Sequence, residues 1–178
     1  MSIPLSFKPE QIKAIKDYIW ICPAEFAPSF TYINDGAISN PDQTVWIFDD
    51  INELGYAKGK FYSLIGTTYS YGYINGSISL IDGKVVFNFN NISSGSYNTG
   101  RGQYFIPKNS CQRPYFALQT ITETTILQTN PIVFDNFVHN AGAIAILPGE
   151  KLYNKLPFST PQPNLQISVP EFIKKCTE

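Results

Sequence analysis

The spacing of apolar residues changes once along the chain. From Pro9 to about Trp20 (PEQIKAIKDYIW), Ile12, Ile15 and Ile19 recur at helical intervals, with Lys13, Lys16 and Asp17 on the other side and Pro9 suited to a first turn. This pattern predicts one amphipathic helix, whose ordinary role is to cover an opening or a face of its own domain. From about residue 29 the period becomes two. Short runs of Ser, Thr, Tyr, Phe, Val and Ile are separated by Gly, Asn, Asp and Pro, the mark of a β-rich body.

The clearest alternation runs from Tyr69 to Asn90: YSYGYI, NG, SISLI, DG, KVVFNFN. Asn75-Gly76 and Asp82-Gly83 are both favoured pairs for two-residue hairpins, because Gly, Asn and Asp tolerate positive φ. Two such turns predict a three-stranded meander in which Ile74 pairs with Ser77 and Ile81 with Lys84. One face would then hold Tyr71, Tyr73, Ile78, Leu80, Val85, Phe87 and Phe89. The reverse face would be polar and uncharged, with Ser70, Gly72, Ser77, Ser79 and Asn88 beside Ile74, Ile81 and Val86.

Further strands are expected over 29–34, 44–48, 60–68, 102–106, 115–122, 124–129, 132–138 and 143–147. About 7–10 short strands at this spacing indicate a mainly β, single-domain antiparallel β-barrel or β-sandwich. Residues 92–100 (ISSGSYNTG) read as a flexible loop and 157–163 (PFSTPQP) as an extended linker. Ser168, followed by Pro170 and Glu171, suits a cap that opens a short C-terminal helix to about Lys175. The division is one domain over 1–178: the N-terminal helix and lead-in over 1–28, the body over 29–150, and a tail with a short helix over 151–178.

Composition narrows the function classes. Charged residues are 15% of the 178, below the roughly 25% usual for soluble domains, and 13 Lys and Arg against 14 Asp and Glu give a net charge of -1. No global field exists to hold nucleic acid or an anionic membrane, so neither is expected as a partner. With no secretory leader pattern at Met1–Glu10 and no long apolar run, a cytoplasmic or otherwise intracellular protein without a signal peptide or transmembrane segment is expected. Cys22, Cys111 and Cys176 are odd in number and far apart, which suits a reducing compartment.

Chemistry-bearing residues are sparse. His139, in FVHNAG, reads as a solvated loop histidine or a general base. Cys111 lies near Lys108 and Arg113, which could lower its pKa, and Asp49, Asp50 and Glu53 form the densest acidic cluster. Metal ligands do not converge, and no phosphate-binding glycine motif occurs, so neither a metal nor a cofactor is expected. Arg101 and Arg113 are the only arginines and could each fork onto a ligand carboxylate.

Aromatics are the abundant class at 15%. Tyr69, Tyr71 and Tyr73 alternate and so share a face. With Phe87, Tyr62 and Tyr104 they read as a wall that is either a core or the lining of a ligand cavity, and Arg101, Arg113 and His139 complete the candidate ligand-binding set. Three readings follow. The first is a noncatalytic β-barrel binding protein holding a small apolar or aromatic ligand. The second is a self-associating structural or interaction module of a virion or other assembly, a homo-oligomer suggested by the absence of charge from Phe61 to Ile81 and from Val85 to Gly100. The third is a barrel enzyme using lumen Tyr, His139 or Asp49. A helix before an antiparallel barrel resembles the outline of the lipocalin-like calycins, but Trp20 and Trp46 lack the Gly-x-Trp of that group, and no family is assigned.

Overall fold

The computed structural model describes residues 6–22, 30–32, 38–39, 43–65, 68–79, 81–92, 96–105, 114–124, 137–146, 150, 156–157 and 166–178. Within them, helix α1 (Pro9–Asp17) is followed by strands β1 (Ile19–Cys22), β2 (Phe30–Tyr32), β3 (Ile38–Ser39), β4 (Gln43–Ile51), β5 (Tyr56–Ile65), β6 (Thr68–Ile78), β7 (Lys84–Asn91), β8 (Ser96–Phe105), β9 (Tyr115–Thr124) and β10 (Phe137–Ile146). The small strands β11 (Leu156–Pro157) and β12 (Gln166–Ile167) pair with each other ahead of helix α2 (Val169–Thr177).

β4 to β10 pair in chain order, every neighbour antiparallel. The sheet then returns on itself. β1 bonds both β4, with Trp20 opposite Trp46, and β10, with Trp20 opposite Ala145, so eight strands form a closed ring. Closure removes the free edges that an open sheet of this length would present. β2 and β3 continue from the first residues of β10.

A small barrel has an interior just wide enough for side chains. Here Trp20, Trp46, Phe48, Phe61, Phe87, Phe89, Tyr104 and Phe116 fill it, all buried, and α1 closes one end with Ile15 and the preceding Phe7. The Trp20 and Phe116 rings lie 4.5 Å apart, Trp46 and Phe89 5.4 Å, and Phe87 and Phe116 5.6 Å. The Trp20 indole donates to the Ile15 carbonyl at 3.1 Å, tying the lid to the first strand. A second apolar layer lies outside the ring, where α2 buries Val169, Phe172 and Cys176 against Ile21, Val45, Tyr62 and Leu64. The Ser168 hydroxyl accepts from the Glu171 amide at 3.3 Å, the cap that its sequence suggested.

The meander differs from its sequence reading in one turn. Asp82-Gly83 does lie in a turn, with Gly83 at φ +70°, but Ile78 pairs with Val85 and the loop spans Ser79 to Gly83. The two-residue shift leaves the facing of β7 unchanged. Asn75-Gly76 is not a turn at all. It lies inside β6, whose partner β5 pairs without a break from Tyr56 opposite Ser77 to Ile65 opposite Thr68. Gly76 stands opposite Phe87 on the neighbouring strand, and a Cβ there would come within 2.8 Å of the Phe87 ring and collide with the Val86 carbonyl. Its glycine is needed for room, not for φ.

Because β6 runs straight through, Ile74 joins Ile78, Val85, Phe87 and Phe89 inside, while Tyr71 and Tyr73 face outward. This corrects the expected Tyr-lined inner face. Residues 92–100 were expected to be a loop, yet Ser96–Gly100 is the first half of β8, where Gly100 pairs with Phe87 and Gly102 with Val85. The first helix ends at Asp17, and Ile19 and Trp20 belong to β1. Leu80 and residues 125–129 and 132–136 of the expected strands lie outside the described residues.

Two outcomes test this register. Gly76→Ala should lower unfolding stability by about 1–3 kcal/mol through overpacking, while Asn75→Ala, exposed on the outer face, should stay within about 0.5 kcal/mol; a two-residue turn would make both sensitive. In the true turn, the Ser79 side chain and Lys84 hold the Asp82 carboxyl down at about 2 from its ordinary 3.8. An acid whose folded pKa is depressed adds stability above its unfolded value that is lost as pH falls towards the folded one. Urea midpoints of the wild type should therefore drop between about pH 4 and pH 2, and Asp82→Asn should flatten that part of the profile.

Candidate functional site

Strand register assigns the outward side chains of β5–β8 to three rows. Tyr56, Ser77, Val86 and Arg101 form the first; Lys58, Asn75, Asn88 and Thr99 the second; Lys60, Tyr73, Asn90 and Tyr97 the third. The middle row is hydrogen-bonded across the sheet. Asn88 Nδ2 donates to Asn75 Oδ1 at 3.4 Å, and Thr99 Oγ1 donates to Asn88 Oδ1 at 3.3 Å. The result is a neutral amide and hydroxyl ladder with aromatic rings on both sides.

Those rings are open to solvent. Tyr56 is 63% exposed, Tyr73 48% and Tyr97 42%, with Val86 at 40%. An open depression of about 440 Å³ lies beside Tyr56 and Val86, lined also by Asn75, Ser77 and Asn88 over the bare backbone of Gly76. Charge is confined to the margins, with Lys58 and Lys60 along β5 and Arg101 on β8. At the α1 end of the barrel Phe105 and Tyr115, paired across β8 and β9, stack with ring centres 4.4 Å apart and both stay exposed. Tyrosine and asparagine together give such a surface apolar contact area and hydrogen bonds without charge.

The residues singled out in the sequence fall into separate places. Tyr73 and Arg101 belong to this outer platform. Tyr62, Tyr69 and Tyr71 share its face but lie under or beside α2: the Tyr69 ring meets Phe172 edge-on at 6.0 Å, and the Lys175 ammonium sits 5.8 Å above it. Burial raises the pKa of both Tyr62 and Tyr69; Asp49 adds to the shift of Tyr62, and Cys176 adds to both. The Cys176 thiol donates to the Ser63 carbonyl at 3.6 Å beneath the same helix. Phe87 and Tyr104 are inside the barrel and already in contact with other rings, Tyr104 lying 4.8 Å from Phe116 and 6.0 Å from Trp20.

His139 was expected in a loop and instead lies within β10, its backbone paired with Thr120 and Phe30. Arg113 and Cys111 lie outside the described residues. Asp49 and Asp50 occupy the irregularity in β4 where Phe48 and Asp50 pair with Gly59 and Lys58, both are exposed, and Asp50 is 3.9 Å from Lys16. Among the described residues no group of three His, Cys, Asp or Glu is close enough to hold a metal, and no helix is long and apolar enough to cross a membrane.

Tyr56 and Tyr97 had been passed over in the sequence. The register that joins them to Tyr73 depends on β6 running through Asn75-Gly76, and only Ser and Asn between aromatics hinted at an outward surface. No protein-family model, curated protein or solved structure matches the chain.

The buried tyrosine inside the barrel has a consequence at high pH. Burial, with a smaller effect of Tyr18, pushes the Tyr104 hydroxyl up to about 12. A raised folded pKa gives stability that is complete below the unfolded value near 10 and lost as pH climbs towards the folded one. Urea midpoints should fall between about pH 10 and pH 12, and Tyr104→Phe should lessen that fall; an unchanged slope would remove Tyr104 as its source.

Proposed function

We propose that the protein is a noncatalytic interaction module that docks an uncharged partner surface on the outer face of β5–β8, a second copy of the chain being the simplest occupant. The observation that carries this reading is the Asn75–Asn88–Thr99 ladder, flanked by exposed Tyr56, Tyr73 and Tyr97 with no charged side chain between them. Surfaces of monomers normally interrupt such areas with charge. Exposed tyrosines supply large, rigid contacts at small entropic cost, which is why they are favoured in interfaces. A net charge of -1 also leaves little repulsion between copies.

A small-ligand role inside the barrel finds less room where the Tyr and Phe wall was expected. Phe87 and Tyr104 spend their surfaces on one another's neighbours, and the interior next to α1 is filled by Trp20, Phe48 and Phe116.

Self-association makes a direct prediction. At high protein concentration, light scattering or sedimentation should give a discrete oligomer for the wild type. Tyr73→Lys, which replaces one of the exposed rings by an ammonium beside that of Lys60, should return it to a monomer with unchanged circular dichroism and thermal midpoint. A wild type that stays monomeric at every concentration removes self-association, and an oligomer untouched by Tyr73→Lys removes this face from it.

A further inference from the structure

The three outward rows of β5–β8 are evenly spaced. Positions two residues apart on a strand lie about 6.8 Å apart, so the row through Tyr56 and the row through Lys60 stand equally far on either side of Lys58, Asn75, Asn88 and Thr99. Consider two copies face to face with a twofold axis along that middle row. Each strand then lies over its own counterpart and the two outer rows change places, so that contacts come in equal pairs, as an isologous interface requires. Tyr73 falls opposite Ser77 of the second copy, Tyr97 opposite Arg101, Lys60 opposite Tyr56 and Asn90 opposite Val86.

The exchanged pairs suit one another chemically. Tyr73 is an exposed ring, while Ser77 and the bare Gly76 backbone line the depression beside Tyr56 and Val86, so one face carries both a protruding ring and an open recess. Lys60 over Tyr56 and Arg101 over Tyr97 set a cation of each copy on an exposed ring of the other, a favourable cation–π arrangement on a face whose rows contain no carboxylate. On the axis Asn75 and Asn88 meet themselves, and an amide carries both donors and an acceptor for its own copy. Only Lys58 meets a like charge, at the margin, where its long stem turns the ammonium to water. Side-chain length follows the curvature of the ring as well. The middle strands β6 and β7 carry the short Asn75, Ser77, Val86, Asn88 and Asn90 around Tyr73, and the long Tyr56, Lys58, Lys60, Tyr97 and Arg101 stand on β5 and β8, where the gap between two curved sheets widens.

We infer that the chain forms a twofold dimer whose axis runs along the Lys58, Asn75, Asn88 and Thr99 row, the Tyr73 ring of each copy seated in the depression over Gly76 of the other. The inference rests on the reading of this face as a self-association surface and adds its register and its contacts. Twelve side chains per copy take part, fewer than the roughly 20–30 of a standard interface, so the dimer is weak and forms at high protein concentration.

The test mixes two variants of the full chain. Tyr73→Ala removes the ring and Ser77→Trp fills the recess. Each alone loses both Tyr73 to Ser77 contacts, and sedimentation should show its dimerisation weakened roughly a hundredfold, about tenfold for each ring. An equimolar mixture regains one native contact and puts the new indole where the missing ring was, so it should recover the wild-type constant to within about tenfold. Disulfide crosslinking supplies the measurement if either variant fails to fold. Asn88→Cys, on the axis, should crosslink with itself above the wild-type background, whereas Val86→Cys and Asn90→Cys should crosslink with each other and not with themselves. A mixture no tighter than either variant, or Val86→Cys crosslinking with itself as well as Asn88→Cys does, overturns this register and leaves the face as an interface. Dimers of wild-type strength from each variant alone overturn the register and the face together, and a wild type that is monomeric at every concentration overturns self-association itself.

Discussion

The structure depends on filling a ring of eight strands whose interior has room for side chains and little else. Aromatic rings fill it, and they fit because glycine stands opposite them: Gly72 beside Phe61, and Gly76 and Gly100 on either side of Phe87. A Cβ on Gly72 would approach the Phe61 ring to 2.6 Å and strike the Asn90 carbonyl. The glycines and the rings are one device, since removing a ring leaves a cavity and adding a methyl creates a clash. Trp20 links this core to both ends of the ring, for its strand joins β4 to β10 and its indole holds α1. Closure and core thus reinforce each other.

The same device determines the outside. A glycine that makes room inside adds no side chain to the outer surface, and the positions between glycines carry Tyr, Asn, Ser and Val. With the core supplied by rings and the edges removed by closure, β6 and β7 need no charged residues to stop strand addition at an edge. The neutral outer face is therefore compatible with the fold, while its exposed tyrosines are not demanded by it. Structure alone would be served as well by Thr or Lys at positions 56, 73 and 97, and that difference favours an interaction over a merely tolerated surface.

Much of this was legible in the residues, with one ambiguity of consequence. Asp82-Gly83 and Asn75-Gly76 look alike locally, yet one glycine has φ +70° in a turn and the other lies extended beneath Phe87. Which role a glycine plays is decided by its partner on the next strand, and sequence alone does not name that partner. The alternation of Tyr69, Tyr71 and Tyr73 was read correctly as one face; the supposed turn reversed which face it was. For β8 the Ser, Gly and Asn of residues 92–100 suggested a loop, because small residues that fit opposite large ones also fit flexible segments. Ile19, spaced like a further helical position after Ile15, concealed β1 in the same way. The mainly β, antiparallel class, both helices and the Ser168 cap needed no such partner, since each follows from local period or local capping, while the choice of barrel over sandwich came from the closing pairs of β1.

The inward register also explains why the core stops short of one end. Near α1 the inward positions of β4, β7 and β9 are Phe48, Phe87 and Phe116, and the lid keeps water out. Further along the axis those of β5, β6 and β7 become Ser63, Ser70 and Asn91. Buried polar side chains of this kind weaken a core unless they are hydrogen-bonded, and Ser63, Ser70 and Asn91 satisfy one another in part. Leu or Val at these positions would extend the apolar filling and stabilise the barrel more. That the chain instead carries hydroxyls and amides there, including an Asn98 carbonyl oxygen with no donor among the described residues, is a departure from what folding alone would favour.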